Sequence, residues 1–322
     1  MHLPDGFLDA KTALLSAGAA ATGVAIALRE IRTTLEPRRM PLLGLAAAFV
    51  FAAQMLNFPV AGGTSGHLVG GVLTAVLLGP SAAVLVLTCV LLVQCLLFAD
   101  GGLLSLGANV FNMAIVSVCG GTLVFRGLKR LLRMEDTRAT VFAATFAAWF
   151  GTVLASISCA GQLALSGTVP WSLAFFSMTN VHLLIGIGEG FATGLVVLAV
   201  LRARPDLVWS ASLSVPAARL SLVAYTLLVA VGLAVFVAPF ACSWPDGLES
   251  VARALGFESH ATISPLAAPM ASYQLPFVGS PAVATALAGL IGTLCAFVAA
   301  YAMARMLVPA LSPRKKDAAS GD

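Results

Sequence analysis

A histidine at the second position gives the start of this chain the chemistry of a metal chelate. The α-amino group of Met1, the backbone nitrogen of His2 and the His2 ring nitrogen nearest its backbone can all reach one ion. The chelate rings close without strain, and three nitrogens in a plane favour square-planar Ni(II) or Cu(II) over tetrahedral Zn(II). Met1 must stay on the chain with a free amine. Taken alone, a histidine here more often binds nothing.

A second histidine, His67, follows the glycine-rich stretch 62–66. Glycine permits positive φ and close approach of backbone, as a loop packed around a small site requires. A polar side chain at membrane depth is a functional candidate by default, although a hydrogen bond to a nearby carbonyl is an equally good interpretation. On the same face as His2, His67 would supply the fourth nitrogen of a plane. We expect no carboxylate beside these four nitrogens.

Several other polar residues are expected to support the ligands or to pack helices without touching an ion. His182 and Glu189 lie two turns apart on one helix face; they can relay protons or coordinate a cation, but a structural role is favoured. Hydrogen bonds between helices are the favoured role of the asparagines. The supporting residues are Asp5, Thr64, Ser65, Asn109, Asn112, His182 and Glu189.

Composition defines the class of protein. The chain has 322 residues, of which 59% are hydrophobic and 10% charged, and its mean hydropathy is +0.98, whereas an ordinary soluble domain carries about 25% charge. We therefore expect an all-α integral membrane protein in contact with lipid. No P-loop, HExxH or GxSxG motif is present, so no catalytic residue is predicted. Asp5 and Asp9 replace the basic start of a signal peptide, so we expect no cleavage.

The apolar runs predict about nine transmembrane helices, each requiring about 20 residues. The third run is short and opens with glycines, so it is either a half-helix or a re-entrant segment. The predicted spans are 11–29, 41–57, 67–79, 81–99, 103–125, 139–165, 178–201, 217–239 and 283–307.

Basic residues orient these spans, because they concentrate in cytoplasmic loops. Alternating spans place 16 of the 18 Lys and Arg residues on one side, leaving Lys11 and Arg253. This distribution predicts an N-terminus outside and a cytoplasmic C-terminus. It also explains the net charge of +4 without a nucleic-acid partner. Met1, His2, the loop 58–66 and the longest loop, 240–282, are then expected on the outer side.

Small residues four apart form a ladder on the second predicted helix. Gly44, Ala48 and Ala52 would allow a second helix to approach closely. Such a ladder usually packs within its own bundle, but it can also form a docking face for another membrane subunit.

Four stretches of the first 202 residues resemble, in order, the CbiM/NikM family, the substrate-binding (S) components of energy-coupling-factor (ECF) transporters for cobalt and nickel. The opening MHLPDGFLD is the most specific. The segment 245–249, PDGLE, looks like that of NikN-type accessory subunits, which have two membrane helices around an extracytoplasmic loop. The chain thus resembles a natural fusion of the two. The matching stretches of the S component are 1–9, 57–67, 100–113 and 182–189.

The resemblance implies a site for a transported divalent ion, with no resident cofactor. Its ligands would be the Met1 amine, the His2 backbone nitrogen and the imidazoles of His2 and His67. It also implies a transmembrane coupling (T) subunit and a cytoplasmic ATPase as partners, the former near the ladder of Gly44, Ala48 and Ala52. The expected organisation is a seven-helix S component 1–202, a cytoplasmic linker 203–216, a NikN-like module 217–310 with its outer loop 240–282, and a basic tail 311–322.

We therefore expect a transporter subunit of the cell (inner) membrane that captures Ni(II) or Co(II) from outside, while a partner hydrolyses ATP. An all-nitrogen square plane and the PDGLE segment favour nickel. One alternative is a stand-alone metal/proton carrier that uses His182 and Glu189. A membrane metalloenzyme is a weaker alternative, since no carboxylate is expected near the ligands.

Overall fold

The computed structural model describes residues 1–133, 136–208 and 220–307, which are mostly helical. A π-helical segment, Val110–Val116, joins α5 to α6 as one continuous rod. The helices are α1 Ala10–Thr34, α2 Met40–Gln54, α3 Gly71–Leu78, α4 Pro80–Phe98, α5 Leu106–Asn109, α6 Ser117–Leu132, α7 Thr137–Leu165, α8 Trp171–Ala203, α9 Leu220–Gly232, α10 Gly247–Leu255 and α11 Pro281–Leu307.

One small departure from the all-α prediction lies between α2 and α3. Strands β1 (Phe58–Val60) and β2 (Thr64–Gly66) pair antiparallel. Gly62 and Gly63, with φ of 86° and 73°, form the turn between them. Glycine adopts this left-handed conformation without a steric penalty. The glycine-rich stretch therefore makes a hairpin that ends directly before His67.

Seven helical segments in the described part of the chain are long and apolar enough to cross a membrane. They are α1, α4, the rod formed by α5 and α6, α7, α8, the segment Leu222–Phe240 and α11. Helix α2 is apolar but has 15 residues, and α3 has eight. The protein is therefore a multi-pass membrane protein, while the number of nine spans and the orientation of the termini stay predictions.

The third predicted span, 67–79, begins too early. The helix starts at Gly71, because Gly70 adopts a φ of 76° that a helix cannot continue through. His67 therefore lies in the loop ahead of α3. Residues 209–216 of the predicted linker, 217–219 of the eighth predicted span, and residues 308–310 with the tail 311–322 lie outside the described residues.

Glycines four residues apart determine how α8 packs on α7. A Cβ added at Gly186 or Gly190 would come within 3.1 Å of a carbonyl oxygen of α7, from Trp149 or Thr145. Only glycine allows so close an approach of two helix backbones. The packed α7–α8 pair holds His182 and Glu189 in the interior.

The ladder on α2 is covered by helices of the same chain. Ala48 and Ala52 are completely buried and cluster with Ala230 of α9 and with Ala234 of the π-helical segment that follows it. At Gly44, an added Cβ would lie 2.9 Å from a carbonyl oxygen of α11. The expected docking of a coupling subunit on Gly44, Ala48 and Ala52 was therefore wrong. Residues of the C-terminal helical segments pack on this face instead, among them Ala230, Ala234 and Phe297.

We expect Gly44→Val to destabilise the protein, because the new side chain would force α2 and α11 apart. Overpacking of this kind costs about 1–3 kcal/mol. Gly18→Val on α1 is the matched control, since an added Cβ there has no neighbour within 4 Å. Thermal unfolding in detergent should show a clear fall in melting temperature for the first variant alone. Equal falls would contradict the packing described.

Candidate metal site

The first residues of the chain fold back into one end of the helix bundle. Leu3 is completely buried. Its backbone N–H donates to Asn109 Oδ1 at 2.8 Å, and its carbonyl accepts from Asn109 Nδ2 at 3.1 Å. Gly102 N–H also donates to the Leu3 carbonyl, at 2.8 Å. These bonds hold the backbone of Leu3 in place and thereby fix the path of Met1 and His2 before it.

Asp5 anchors the same segment from its side chain. Its carboxylate accepts the backbone N–H groups of Leu103, Leu104 and Ser105, at 2.8–3.1 Å. The loop backbone comes so close that a Cβ at Gly102 would collide with the Asp5 carboxyl group. Asp5 thus holds the N-terminal segment against the loop after α4, a supporting role without contact to the candidate ligands.

The Met1 amine and His67 are direct neighbours. The amine nitrogen lies 2.8 Å from His67 Nε2. The other ring nitrogen, Nδ1, lies 3.1 Å from the Leu68 carbonyl oxygen, which makes Nδ1 the N–H donor and leaves Nε2 with its lone pair. Adjacent nitrogens of a square plane with bonds of about 2.0 Å are also roughly 2.8 Å apart. The pair therefore has the spacing of two neighbouring ligands.

His2 stacks on His67 but turns its ring nitrogens toward oxygen atoms. The two ring centroids are 5.2 Å apart, with 20° between the planes. His2 Nδ1 lies 3.1 Å from Asp100 Oδ1, and Nε2 lies 3.2 Å from Gln94 Oε1. Burial lowers the pKa of His2, against the opposing charge of Asp100. The neutral, metal-binding form of the ring is thereby favoured, although its chelating nitrogen faces a carboxylate here.

A second carboxylate contacts the amine itself. Asp246 Oδ2 lies 2.8 Å from the Met1 nitrogen. The same side chain begins α10, because its Oδ1 accepts the Glu249 N–H at 2.8 Å. Burial opposes a charge on Asp246, but the Met1 ammonium holds the pKa of this carboxyl well below its usual range. The expectation of no carboxylate near the ligands was therefore wrong, since folding brings in both Asp100 and Asp246.

Thr64 and Ser65 hold the PDGLE segment in place. Ser65 N–H donates to the Pro245 carbonyl at 2.8 Å, and Ser65 Oγ donates to the Trp244 carbonyl at 2.8 Å. Thr64 Oγ1 adds a bond to Pro245 O at 3.1 Å. The β-hairpin thus fixes Asp246 against the amine.

Tyr273, in the loop before α11, is linked to His2 through a carboxylate that both contact. Tyr273 OH donates to Asp100 Oδ2 at 2.5 Å, while Oδ1 of the same carboxylate faces His2. Its ring stacks on Phe98 with centroids 4.7 Å apart. Both Met1 and His2 are therefore in contact, directly or through one carboxylate, with the chain that precedes α11.

Two of the predicted supporting residues are structural. Asn112 on the π-helical segment donates to Gln162 Oε1 at 2.7 Å and accepts from Ser158 Oγ, also at 2.7 Å, so it joins this segment to α7. Glu189 accepts the N–H groups of Val69 and Gly70 at the start of α3. Neither side chain has a free oxygen directed at the candidate ligands.

His182 is different. Its Nδ1 lies 2.8 Å from the Met178 carbonyl oxygen, one turn earlier on α8. Its Nε2 is buried and has no hydrogen-bond partner within the described structure. His182 therefore bonds within its own helix, whereas Glu189 bonds the backbone before α3.

Side chains by themselves do not form a metal cluster here. Across residues 1–133, 136–208 and 220–307, no group of three or more His, Cys, Asp or Glu side chains is arranged to hold an ion. The use of chain-terminal nitrogens beside His67 stays a prediction. Sequence analysis named Met1, His2 and His67 but missed Gln94, Asp100 and Asp246. A buried polar residue such as Gln94 in an otherwise apolar helix was the available signal.

Comparison with known proteins agrees with this architecture, that of a membrane transport component. Residues 2–207 match the model of the CbiM family, described as the cobalt uptake substrate-specific transmembrane region. Residues 220–308 match the PDGLE domain. The chain belongs to the CbiM family and carries a PDGLE domain behind it.

Its relatives are named as transport proteins. A putative fused nickel transport protein NikMN of Archaeoglobus fulgidus is 36% identical, over 95% of this chain and 98% of its own length. A cobalt transport protein CbiM of Pelobacter propionicus is 38% identical, over 63% of this chain and 91% of its own. This protein is therefore a transporter component and not an enzyme.

Solved structures resemble about two thirds of the chain. The crystal structure of a truncated transition metal transporter aligns with a TM-score of 0.57 at 32% identity, covering 63% of this chain and 99% of that one. A second transition metal transporter structure aligns with the same TM-score at 31% identity, covering 63% of this chain and 93% of that one.

Asn109→Ala should release the N-terminal segment, because the Leu3 peptide would lose both bonds to that side chain. Leaving such buried groups unpaired costs about 1–3 kcal/mol. Hydrogen–deuterium exchange at Leu3 should then accelerate by about tenfold or more. Asn112→Ala is the matched control, since Asn112 lies three residues further along the chain and bonds only Gln162 and Ser158. Equal exchange at Leu3 in both variants would contradict this role.

The His2 imidazole should titrate below the ordinary histidine pKa of about 6.5. Because the Asp100 carboxylate favours the charged ring, Asp100→Asn should lower the pKa of His2 further. Protons would then compete for this nitrogen only at lower pH. NMR titration of metal-free protein with labelled histidine measures the pKa directly. A His2 pKa at or above the ordinary value, or one that rises in Asp100→Asn, would refute this electrostatic account.

Proposed function

We propose that this chain is the substrate-binding subunit of an ATP-driven ECF-type importer that captures Ni(II), or Co(II), from outside the cell. The main support for this proposal is the distance of 2.8 Å between the Met1 amine nitrogen and His67 Nε2. His2 is stacked beside them, so the four nitrogens of a square plane belong to three adjoining residues. The backbone nitrogen of His2 is the one that links the amine to the ring.

The proposal requires that the mature chain begin at Met1 with a free amine. In the structure, the amine nitrogen of Met1 is buried and lies 2.8 Å from Asp246 Oδ2. When an ion binds, the Met1 ammonium and the His2 backbone N–H each release one proton to solvent, so that both nitrogens present a lone pair to the metal. The two hydrogens that remain on the amine can still donate to Asp246. The carboxylate then orients the amine from outside the coordination plane, as partners of metal ligands commonly do.

Nickel is the preferred cargo in this proposal. Four nitrogens in one plane suit Ni(II) better than Co(II). The fused relative of Archaeoglobus fulgidus is named a putative nickel transport protein, and it aligns with this chain over 98% of its own length. Asp246 contacts the Met1 amine, and Tyr273 contacts the carboxylate that faces His2. Both side chains carry only oxygen donors, so neither adds a nitrogen or sulfur that would change this preference.

The proposed organisation follows the charge pattern. Residues 1–202 form the S component, 203–216 a cytoplasmic linker, and 217–310 the accessory module with its loop 240–282 outside, ahead of the tail 311–322. The protein lies in the inner membrane of the cell in this proposal. Its basic loops and its C-terminus face the cytoplasm. The sequence has no P-loop, so a separate coupling subunit and ATPase would supply the energy.

A stand-alone proton-coupled carrier is less well supported. Such a carrier would need Glu189 to exchange protons or bind the cation together with His182. Both oxygens of Glu189 already accept backbone N–H groups at the start of α3. The carboxylate therefore has a structural task that proton exchange would interrupt.

Uptake of radioactive Ni(II) by cells that express the chain with its partners tests the proposal. We expect His2→Ala, or one alanine inserted after Met1, to reduce uptake at least tenfold, because the first removes the imidazole nitrogen of residue 2 from the plane and the second displaces the amine. His260→Ala is the control, as this exposed histidine lies outside the site. Normal uptake in both N-terminal variants would exclude the chelate, and N-terminal sequencing would verify that the mature chain begins at Met1.

A further inference from the structure

A small cavity adjoins the candidate ligands Met1 and His67. Its volume is about 10 Å³, and its lining includes Met1, His67, His182 and Gly247. A space of this size holds about one water molecule or one small ion. The cavity therefore connects two proposed ligands with a histidine that is not one of the four-nitrogen ligand set.

His182 is oriented in the same way as His67. Each ring has its Nδ1 within 3.1 Å of a backbone carbonyl oxygen. Histidines that bind metals commonly donate one N–H to such an oxygen, which fixes the tautomer and directs the other nitrogen at the ion. His67 Nε2 meets the Met1 amine, whereas the buried His182 Nε2 meets no polar atom of the described residues.

The PDGLE segment leaves room for this nitrogen. A Cβ added at Gly247 would lie 2.9 Å from Cε1 and 3.1 Å from Nε2 of His182. Glycine at this position therefore keeps the Nε2 edge of the ring uncrowded. The preceding residue, Asp246, meanwhile contacts the Met1 amine, so one short segment borders both nitrogens.

We propose that His182 Nε2 is an exchange ligand for the transported ion, a fifth nitrogen that binds while the ion enters or leaves the plane of four. The proposal rests on the proposed function, because it presupposes that plane. A square-planar ion has open positions above and below its plane. The cavity places the unpartnered nitrogen of His182 beside two of the four ligands, where it can enter from one side.

The exchange step is a simple ligand substitution. The lone pair of His182 Nε2 forms a bond to the ion, and the bond from one of the four nitrogens then breaks. The metal keeps its oxidation state, and no electron is transferred. Because His182 binds only during exchange, it lowers the barrier in both directions and leaves the equilibrium affinity unchanged.

Stopped-flow measurements on the purified full chain test this step. Ni(II) loading is followed by its absorption and release by transfer to an excess of chelator, while calorimetry gives the Kd. His182→Asn removes Nε2 but retains an amide that can donate to the Met178 carbonyl. We expect both rates to fall about tenfold with a Kd within about twofold of the original. His182→Gln, the second variant, should show the same slow exchange.

Thr193→Val is the matched control, since Thr193 Oγ1 is another buried, unpartnered atom on α8 that does not line the cavity. It should change neither rate. Unchanged rates in a stably folded His182 variant would overturn the inference. So would a Kd that weakens with faster release, because His182 would then support the bound state itself. Failure of the unaltered protein to bind Ni(II) would instead refute the proposed function.

Discussion

Two hydrogen bonds between the backbone of Leu3 and the side chain of Asn109 are the constraint on which the site depends. A chain terminus normally moves freely, so an amine is a poor ligand unless the residues behind it are fixed. Here Leu3 and Asp5 are bonded to α5 and to the loop before it, one on each side of Pro4. The amine consequently stays within 2.8 Å of His67 although it ends the chain.

The PDGLE domain completes this arrangement, although its Asp246 lies more than 240 residues after Met1 in the sequence. Asp246 contacts the amine, and Tyr273 holds the carboxylate that faces His2. Fusion of the two domains makes these contacts intramolecular, so the local concentration of the PDGLE segment no longer depends on a separate subunit. Helices α9 and α11 also support this arrangement. They pack on the small-residue face of α2, and this packing fixes the loop that joins α9 to α11 next to the site.

Sequence reasoning succeeded where local pattern carries the information. Hydropathy identified the long helices, and the glycines before His67 indicated a tight loop, which proved to be a β-hairpin. It failed for the ladder of Gly44, Ala48 and Ala52, because small residues show that a helix packs closely but not which helix it meets. For Glu189, the structural role that the sequence favoured agrees with its bonds to the backbone N–H groups before α3.

The sequence by itself determined the membrane character of this protein, its family and the residues whose nitrogens can form a chelate, since these depend on composition and on neighbours along the chain. Only the tertiary structure decided that Asp100 and Asp246 lie at those nitrogens, and that His182 directs an unpartnered nitrogen at the same cavity. Side-chain direction depends on hydrogen-bond partners supplied by distant segments, such as the carbonyl of Met178 or the loop before α11. Spacing along one chain does not contain that information.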